Sequence, residues 1–138
     1  MAGTIVQAFP KRAFDFSQLN GIQQQGNPIA ERINVAGWAK CSIVARVHAA
    51  NIVNGSQFIN FEVYRDGYAE EDPGADFKSL LYTVSLVGPV VAPSLVNPVL
   101  IPPGFGPFLK ILVRASNAAF PTPLTATVSM SLMLRNPD

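Results

Sequence analysis

The sequence predicts an all-β fold, an antiparallel β-sandwich that is jelly-roll-like and has about eight strands. Three observations predict it. Residues 124–134 alternate between apolar and mostly hydroxyl-bearing side chains, which is the period of a strand with one buried face. Shorter segments with the same period recur along the chain and are separated by Gly, Pro and Asn. No window carries the apolar stripe of an amphipathic helix.

Eight segments with this alternation are the predicted strands. In one of them Leu109, Ile111 and Val113 share a face, while Lys110 and Arg114 lie on the other. Such a two-faced pattern is typical of a strand that packs on a core with one side only. The eight predicted strands are residues 4–9, 29–35, 42–48, 59–64, 80–87, 95–101, 109–115 and 124–134.

The segments between these strands define the rest of the domain. Asn54-Gly55 lies between two predicted strands and predicts a hairpin turn. Residues 15–28 are polar and rich in turn formers, which predicts a surface loop. A chain of 138 residues suits one domain. We therefore expect a single sandwich domain over 1–138, with an extended N-terminal arm (about 1–30) and a Pro-rich loop (88–107).

Charged residues are few and unevenly placed. The net charge is +1, so attraction to nucleic acid or to an anionic membrane is not expected. Charged residues make up 14% of the chain, against about 25% in ordinary soluble domains. None lies between Ser79 and Leu109, but the prolines there exclude a membrane-spanning helix. We expect no nucleic acid and no membrane as partner, and a surface that another protein covers.

The residues that carry chemistry are too few for most catalytic or metal sites. The chain has one cysteine, Cys41, and one histidine, His48, which excludes a disulfide framework and disfavours a zinc site. A lone cysteine in a strand is most often a small buried apolar side chain. No nucleophile motif or phosphate-binding loop is present. We expect that the protein is not an enzyme and holds no cofactor.

One acidic stretch is a weak candidate for a metal site. It brings five carboxylates into eleven residues, and calcium binds six to eight oxygens. The spacing does not match the EF-hand loop, so a solvated acidic loop is favoured over a calcium site. The carboxylates are those of Asp66, Glu70, Glu71, Asp72 and Asp76.

A family resemblance adds a functional expectation. The residues that carry the resemblance run from Gly37-Trp38 to Val63-Tyr64-Arg65-Asp66. They also include Glu71-Asp72-Pro73 and Leu134-Arg135 at the end of the last predicted strand. Over about two thirds of its length the chain resembles the capsid decoration (cement) proteins of tailed bacteriophages. The resemblance implies a jelly-roll homotrimer that binds the major capsid protein and stabilises the shell. It also implies a virion protein, located at the capsid surface and made in the host cytoplasm.

Apolar side chains of the arm and the Pro-rich loop are the candidates for this docking. They are Phe9, Phe14, Phe16, Val90, Val91, Leu95 and Phe105. Two alternative functions stay open. One is a carbohydrate-binding β-sandwich module in which Trp38, Tyr64 and Tyr68 stack on sugars, and the other is a phage tail or receptor-binding component.

Overall fold

The computed structural model describes residues 3–17, 21–24, 29–66, 80–102, 104–105, 107–117 and 123–136. These residues form nine strands and no helix. The strands are β1 (Gly3–Asp15), β2 (Gly21–Gln24), β3 (Ala30–Asn34), β4 (Lys40–Asn51), β5 (Phe58–Asp66), β6 (Leu80–Val87), β7 (Ser94–Leu100), β8 (Phe108–Asn117) and β9 (Thr125–Arg135).

β9 shows why the alternation in the sequence predicts a strand correctly. Its even-numbered side chains, from Ala126 to Leu134, are buried, and its odd-numbered ones, from Thr125 to Met133, are half-buried. β9 pairs with β1 on one side and with β4 on the other. An interior strand leaves little of its outward face exposed, because neighbouring side chains flank it on both sides.

The pairing forms two antiparallel sheets. Sheet A has the strand order β1-β9-β4-β7, and sheet B has the order β2-β8-β5-β6, with β3 also paired to β8. β2 and β3 pair with successive parts of β8, so together they occupy one strand position. Counted this way, the eight strands pair first with last, second with seventh, third with sixth and fourth with fifth. This nested pairing is that of a jelly roll and confirms the predicted fold class.

Two strands contain proline, and both are at a sheet edge. Pro10 lies in β1, where the pairing with β9 shifts register on either side of Phe9. Pro98 lies in β7, opposite a register shift between Ile43 and Ala45 of β4. Proline cannot donate to the ladder, so it is tolerated at edges and bulges. β1 therefore continues past Pro10 to Asp15, beyond the predicted end at Phe9.

The core lies between the two sheets and includes a cluster of three phenylalanine rings. Phe9 and Phe14 of β1 pack on Phe61 of β5, with ring centroids 5.7 and 5.2 Å from that of Phe61. Phe9 and Phe14 are 6.0 Å apart and nearly perpendicular. Burial of one such ring contributes about 3 kcal/mol. The cluster therefore holds the first strand of sheet A against the centre of sheet B.

Three features differ from what the sequence predicts. The described part of the expected N-terminal arm is largely β1, which pairs with β9 along the sandwich. β2 lies in the segment predicted to be a surface loop. Asn54-Gly55 does form a turn, in which the Gln57 N–H donates to the Asn54 carbonyl at 3.1 Å. The turn joins β4 of sheet A to β5 of sheet B, so the predicted hairpin is wrong.

Candidate docking surface

The two outer faces of the sandwich differ in their chemistry. Face B, the outward side of sheet B, carries a buried carboxylate: Glu62 is 8% exposed although it points away from the core. The Tyr64 hydroxyl donates to Glu62 Oε1 at 3.1 Å, and Arg114 Nε lies 3.6 Å from Glu62 Oε2. Lys110 Nζ lies 6.0 Å from the centre of the Tyr64 ring. On face B the buried charge of Glu62 is thus compensated within the chain by Tyr64 and Arg114.

Face A, the outward side of sheet A, carries a transverse row with one residue from each strand. Ile5 pairs with Met133, Met133 with Ser42, and Ser42 with Leu100. Ile5 is 69% exposed and Leu100 is 60% exposed, at the two edges of the sheet. Strands lie about 4.8 Å apart, so this Ile5–Leu100 row spans about 14 Å. Its exposed apolar ends make it a candidate contact surface.

Beside this row lie two positive charges. Lys40 of β4 and Arg135 of β9 are directly opposed cross-strand partners, one pleat beyond Ser42 and Met133 on the same face. Both side chains are exposed. A shallow depression of about 600 Å³ adjoins them, lined by Gly3, Thr4, Ile5, Met133, Leu134 and Arg135. Face A thus combines an apolar floor with a cationic rim.

The other end of face A is more polar. Arg46 of β4 pairs with Leu95 of β7 and with Ser129 of β9. His48 Nε2 lies 2.9 Å from Ser129 Oγ. Leu95 is 53% exposed, so one more apolar side chain reaches solvent at this edge.

A second exposed apolar cluster lies at the end of the sandwich where β4 and β6 finish. Val53, Val87 and Val91, which we call the valine tip, are 56%, 51% and 77% exposed. The backbone beneath them is fixed, because Val90 N–H donates to Ile52 O and Gly88 N–H donates to Gln57 O, both at 3.0 Å. The exposed valines therefore stand on an ordered frame.

The structure corrects three of the seven predicted interface residues. Phe9, Phe14 and Phe105 are 3–4% exposed and belong to the core of this chain. For Phe9 and Phe14 the reason is that β1 belongs to the sandwich, so these rings face sheet B. Phe16 and Val90 are half-buried and pack against the core. Of the seven predicted residues, only Val91 and Leu95 have exposed apolar side chains, which a contact with another protein requires.

Ile5 and Leu100 were not among the predicted interface residues. Both lie in strands that were predicted, so their apolar character was visible. What the sequence does not contain is the register that places them in one row with Met133 and Ser42. Val53 and Val87 were missed for the same reason, since adjacent strand ends come together only in the fold.

The candidate residues for chemistry include Cys41, which lies in the core. Cys41 is fully buried, and desolvation by this burial raises the pKa of its thiol to about 12. Glu70, Glu71, Asp72 and Asp76 lie outside the described residues, and so does the Asp66 side chain. Within the described part of the chain no three His, Cys, Asp or Glu residues form a group that could hold a metal. None of its segments is a helix able to cross a membrane.

Of the aromatic residues considered for sugar stacking, the two that the structure describes, Trp38 and Tyr64, are not exposed. Tyr64 is 5% exposed, and Trp38 is half-buried against the core. Tyr68 lies outside the described residues.

Comparison with known proteins gives a similarity of fold. No protein-family model matches the sequence, and no curated protein does. The structure is similar to part of a chain in the solved structure of infectious bursal disease virus, Gx strain, with a TM-score of 0.57. The match covers 96% of this chain and 31% of that chain, at 14% sequence identity. At this identity the likeness shows a shared β-sandwich fold between this chain and part of a chain from a virus structure.

Proposed function

We propose that the chain is a structural virion protein that self-associates, as a homotrimer, and binds the major capsid protein to stabilise the shell. In this role it is a decoration or cement protein and catalyses no reaction. The observation that carries the proposal is the difference between the two outer faces. Face A exposes large apolar side chains at both of its edges, Ile5 and Leu100, whereas those described on face B, Leu80 and Val87, both lie in the edge strand β6.

The fold and the composition support this proposal. The jelly roll is an architecture of viral capsid domains, and this chain is similar in fold to part of a chain from a virus structure. Fold alone does not fix function, so the surface has to carry the argument. Exposed apolar side chains at both edges of one face suit a contact between copies of the chain.

A decoration protein also needs a surface for the shell that is separate from the contact between its own copies. The valine tip lies at the opposite end of the sandwich from Lys40 and Arg135. We assign the valine tip to the shell and the Ile5–Leu100 row to self-association. Each assignment predicts a different loss when the surface is made polar.

The first experiment measures molar mass in solution by light scattering at 1–100 µM (about the range over which weak oligomers form). We expect an oligomer for the natural chain and a monomer for the double variant Ile5→Ser, Leu100→Ser. The matched control is Leu80→Ser, which removes an exposed apolar side chain from β6 of the other sheet. A monomeric natural chain over this range would contradict the proposal.

The second experiment measures binding to capsids that lack this protein, by co-sedimentation and by thermal disassembly of the particles. We expect the natural chain to bind and to raise the disassembly temperature. The variant Val53→Ser, Val91→Ser should keep its oligomeric mass and lose binding. If particles without the protein are as stable as particles with it, the cement role is wrong.

A further inference from the structure

Lys40 and Arg135 place like charges directly opposite each other on adjacent strands. Such a pair weakens strand association unless an anion compensates it. Of the carboxylates that the structure describes, Asp15 pairs with Thr125 at the other end of β1, Glu31 lies in β3 of sheet B, and Glu62 lies on face B. No described carboxylate forms an ion pair with Lys40 or Arg135. The pair therefore has the chemistry of a binding site for carboxylates.

The surface beside the pair adds an apolar requirement. The depression next to Arg135 is lined by Ile5 and Met133, and Ile5 is exposed. A segment that fits this place carries carboxylates for the cations and an apolar side chain for the floor. A free inorganic anion would contact the two cations but would leave the apolar floor uncovered.

The chain itself contains a segment of this composition. Five of its nine acidic residues lie in residues 66–76, and Tyr68 lies among them. This acidic stretch belongs to the connection between β5 and β6. Most of it lies outside the described residues, so the inference depends on its composition and on where its two ends leave the sandwich.

Those ends lie at the same end of the sandwich as the cation pair, but on the other sheet. Asp66 and Asn34 both pair with Phe108, and residues 35–39 lead from Asn34 directly to Lys40. If copies of the chain stand side by side around an axis along the sandwich, the end of β5 and the start of β6 in one copy are level with the next copy's Lys40 and Arg135. A contact between two different surfaces forms a closed ring of copies when the rotation from one copy to the next closes.

We propose that Lys40 and Arg135, with the apolar floor formed by Ile5 and Met133, bind the acidic stretch 66–76 of a second copy of this chain. The inference rests on the proposed self-association and specifies its contact. The contact is electrostatic at the rim, so association weakens as salt rises.

Charge reversal and charge exchange test the inference. Lys40→Glu, Arg135→Glu lowers the net charge from +1 to −3, because each substitution changes it by two. Glu70→Lys, Glu71→Lys raises it from +1 to +5 in the same way. The chain that carries all four substitutions has a net charge of +1 again and exchanges the signs of the two surfaces. The control Lys11→Glu, Arg46→Glu also has a net charge of −3 but keeps the cation pair.

The readouts are sedimentation equilibrium for mass and thermal unfolding for stability. We expect each reversal alone to raise the dissociation constant of the oligomer at least about tenfold, a loss typical of repulsive charges at an interface. The control should stay within about threefold of the natural chain, and the exchanged chain should recover its association.

Three outcomes would overturn the inference. One is an oligomer unaffected by either reversal, and another is an exchanged chain that stays dissociated. The third is a reversal that lowers the unfolding temperature without changing the mass, which would mean that the stretch contacts its own chain. In all three the natural chain still forms an oligomer, so the proposed self-association stands. A natural chain that is monomeric would overturn both.

Discussion

Gly88 packs so closely against the backbone of Asn54 that a Cβ at position 88 would overlap the Asn54 carbonyl oxygen. The contact joins the connection between β6 and β7 to the turn between β4 and β5. Gly88 N–H also donates to Gln57 O at 3.0 Å, on the same turn. The two connections beneath the valine tip are therefore held together backbone to backbone.

Replacing Gly88 by alanine should lower the free energy of unfolding by about 1–3 kcal/mol, as overpacking of rigid sites does. The cost arises because the nearest atoms are backbone, which cannot move aside as a flexible side chain can. Urea denaturation measures it. The matched control is Gly55→Ala in the same turn, where a Cβ would meet only Gly88 O at 3.8 Å. The control should be neutral or gain up to about 1 kcal/mol, and equal losses at both positions would contradict the close contact.

Gln57 makes the second prediction because its side chain is buried and bonded at both ends. It is 1% exposed, its Oε1 accepts from Val53 N–H at 3.1 Å, and its Nε2 donates to Pro123 O at 3.1 Å. Gln57→Leu leaves both backbone groups without this partner, so we expect a loss of about 2 kcal/mol or more. The measurement is the urea midpoint at constant slope.

The control for Gln57 is Ser56→Ala, on the preceding residue of the same turn. It removes the exposed hydrogen bond from the Ser56 hydroxyl to Asn54 Oδ1. Exposed bonds contribute little, so the control should cost less than about 0.5 kcal/mol. A Gln57→Leu variant as stable as this control would show that the side chain does not tie the β4–β5 turn to the connection between β8 and β9.

The strands were largely predictable because each carries its own alternation. Residues 124–134 needed no information from elsewhere in the chain, since a buried face repeats every second residue in any sheet. β2 was not predictable: its residues, Gly21 to Gln24, include two glutamines and follow a polar segment. The continuation of β1 beyond Pro10 was also missed, because proline normally ends a strand and only an edge bulge permits it.

The docking surface was much less predictable than the fold. Alternation predicts that successive side chains point to opposite faces of a strand. It does not predict which of these faces lies against the core, or in which sheet the strand lies. Phe9 and Leu95 both read as apolar residues of a docking segment. Because β1 pairs with β9, the Phe9 side chain points into the core. Leu95 lies in β7, which pairs with β4, and its side chain is exposed on the outer face. This information is in the register, which depends on partners far along the chain: Met130 is 121 positions from Phe9, and Arg46 is 49 positions from Leu95.

Tyr64 and Glu62 give the third prediction, on face B. Tyr64→Phe removes the hydroxyl that donates to the buried carboxylate, and hydrogen bonds to charged groups contribute about 1.5–3 kcal/mol. We expect a loss of about that size in urea denaturation. The control is Tyr82→Phe, at a half-buried position of β6. It should change the free energy of unfolding by less than about 0.5 kcal/mol.

A double-mutant cycle separates this bond from general packing. Glu62→Gln keeps the shape of the side chain and removes the charge that Tyr64 and Arg114 face. The two substitutions should be non-additive by about 0.5–2 kcal/mol, as contacting residues are. Strict additivity would mean that the hydroxyl and the carboxylate do not interact in solution.

Cys41 gives the last prediction, which concerns pH. Burial raises the pKa of its thiol from 9.0 to about 12, so the folded chain keeps the thiol neutral where the unfolded chain ionises it. The stabilising contribution is complete below pH 9 and is lost as the pH rises towards 12, with a slope of up to about 1.4 kcal/mol per pH unit.

The measurement is the unfolding free energy of the natural chain and of Cys41→Ala between about pH 8 and pH 11, a window that begins below the ordinary pKa of a thiol. All other ionisable groups are common to both chains, so the difference between the two curves isolates the thiol. The variant should lose stability less steeply with pH, and a thiol reagent at pH 8 should label Cys41 only at the rate at which the chain opens. Parallel pH curves for the two chains, or rapid labelling of the folded protein, would show that Cys41 is not buried as the structure has it.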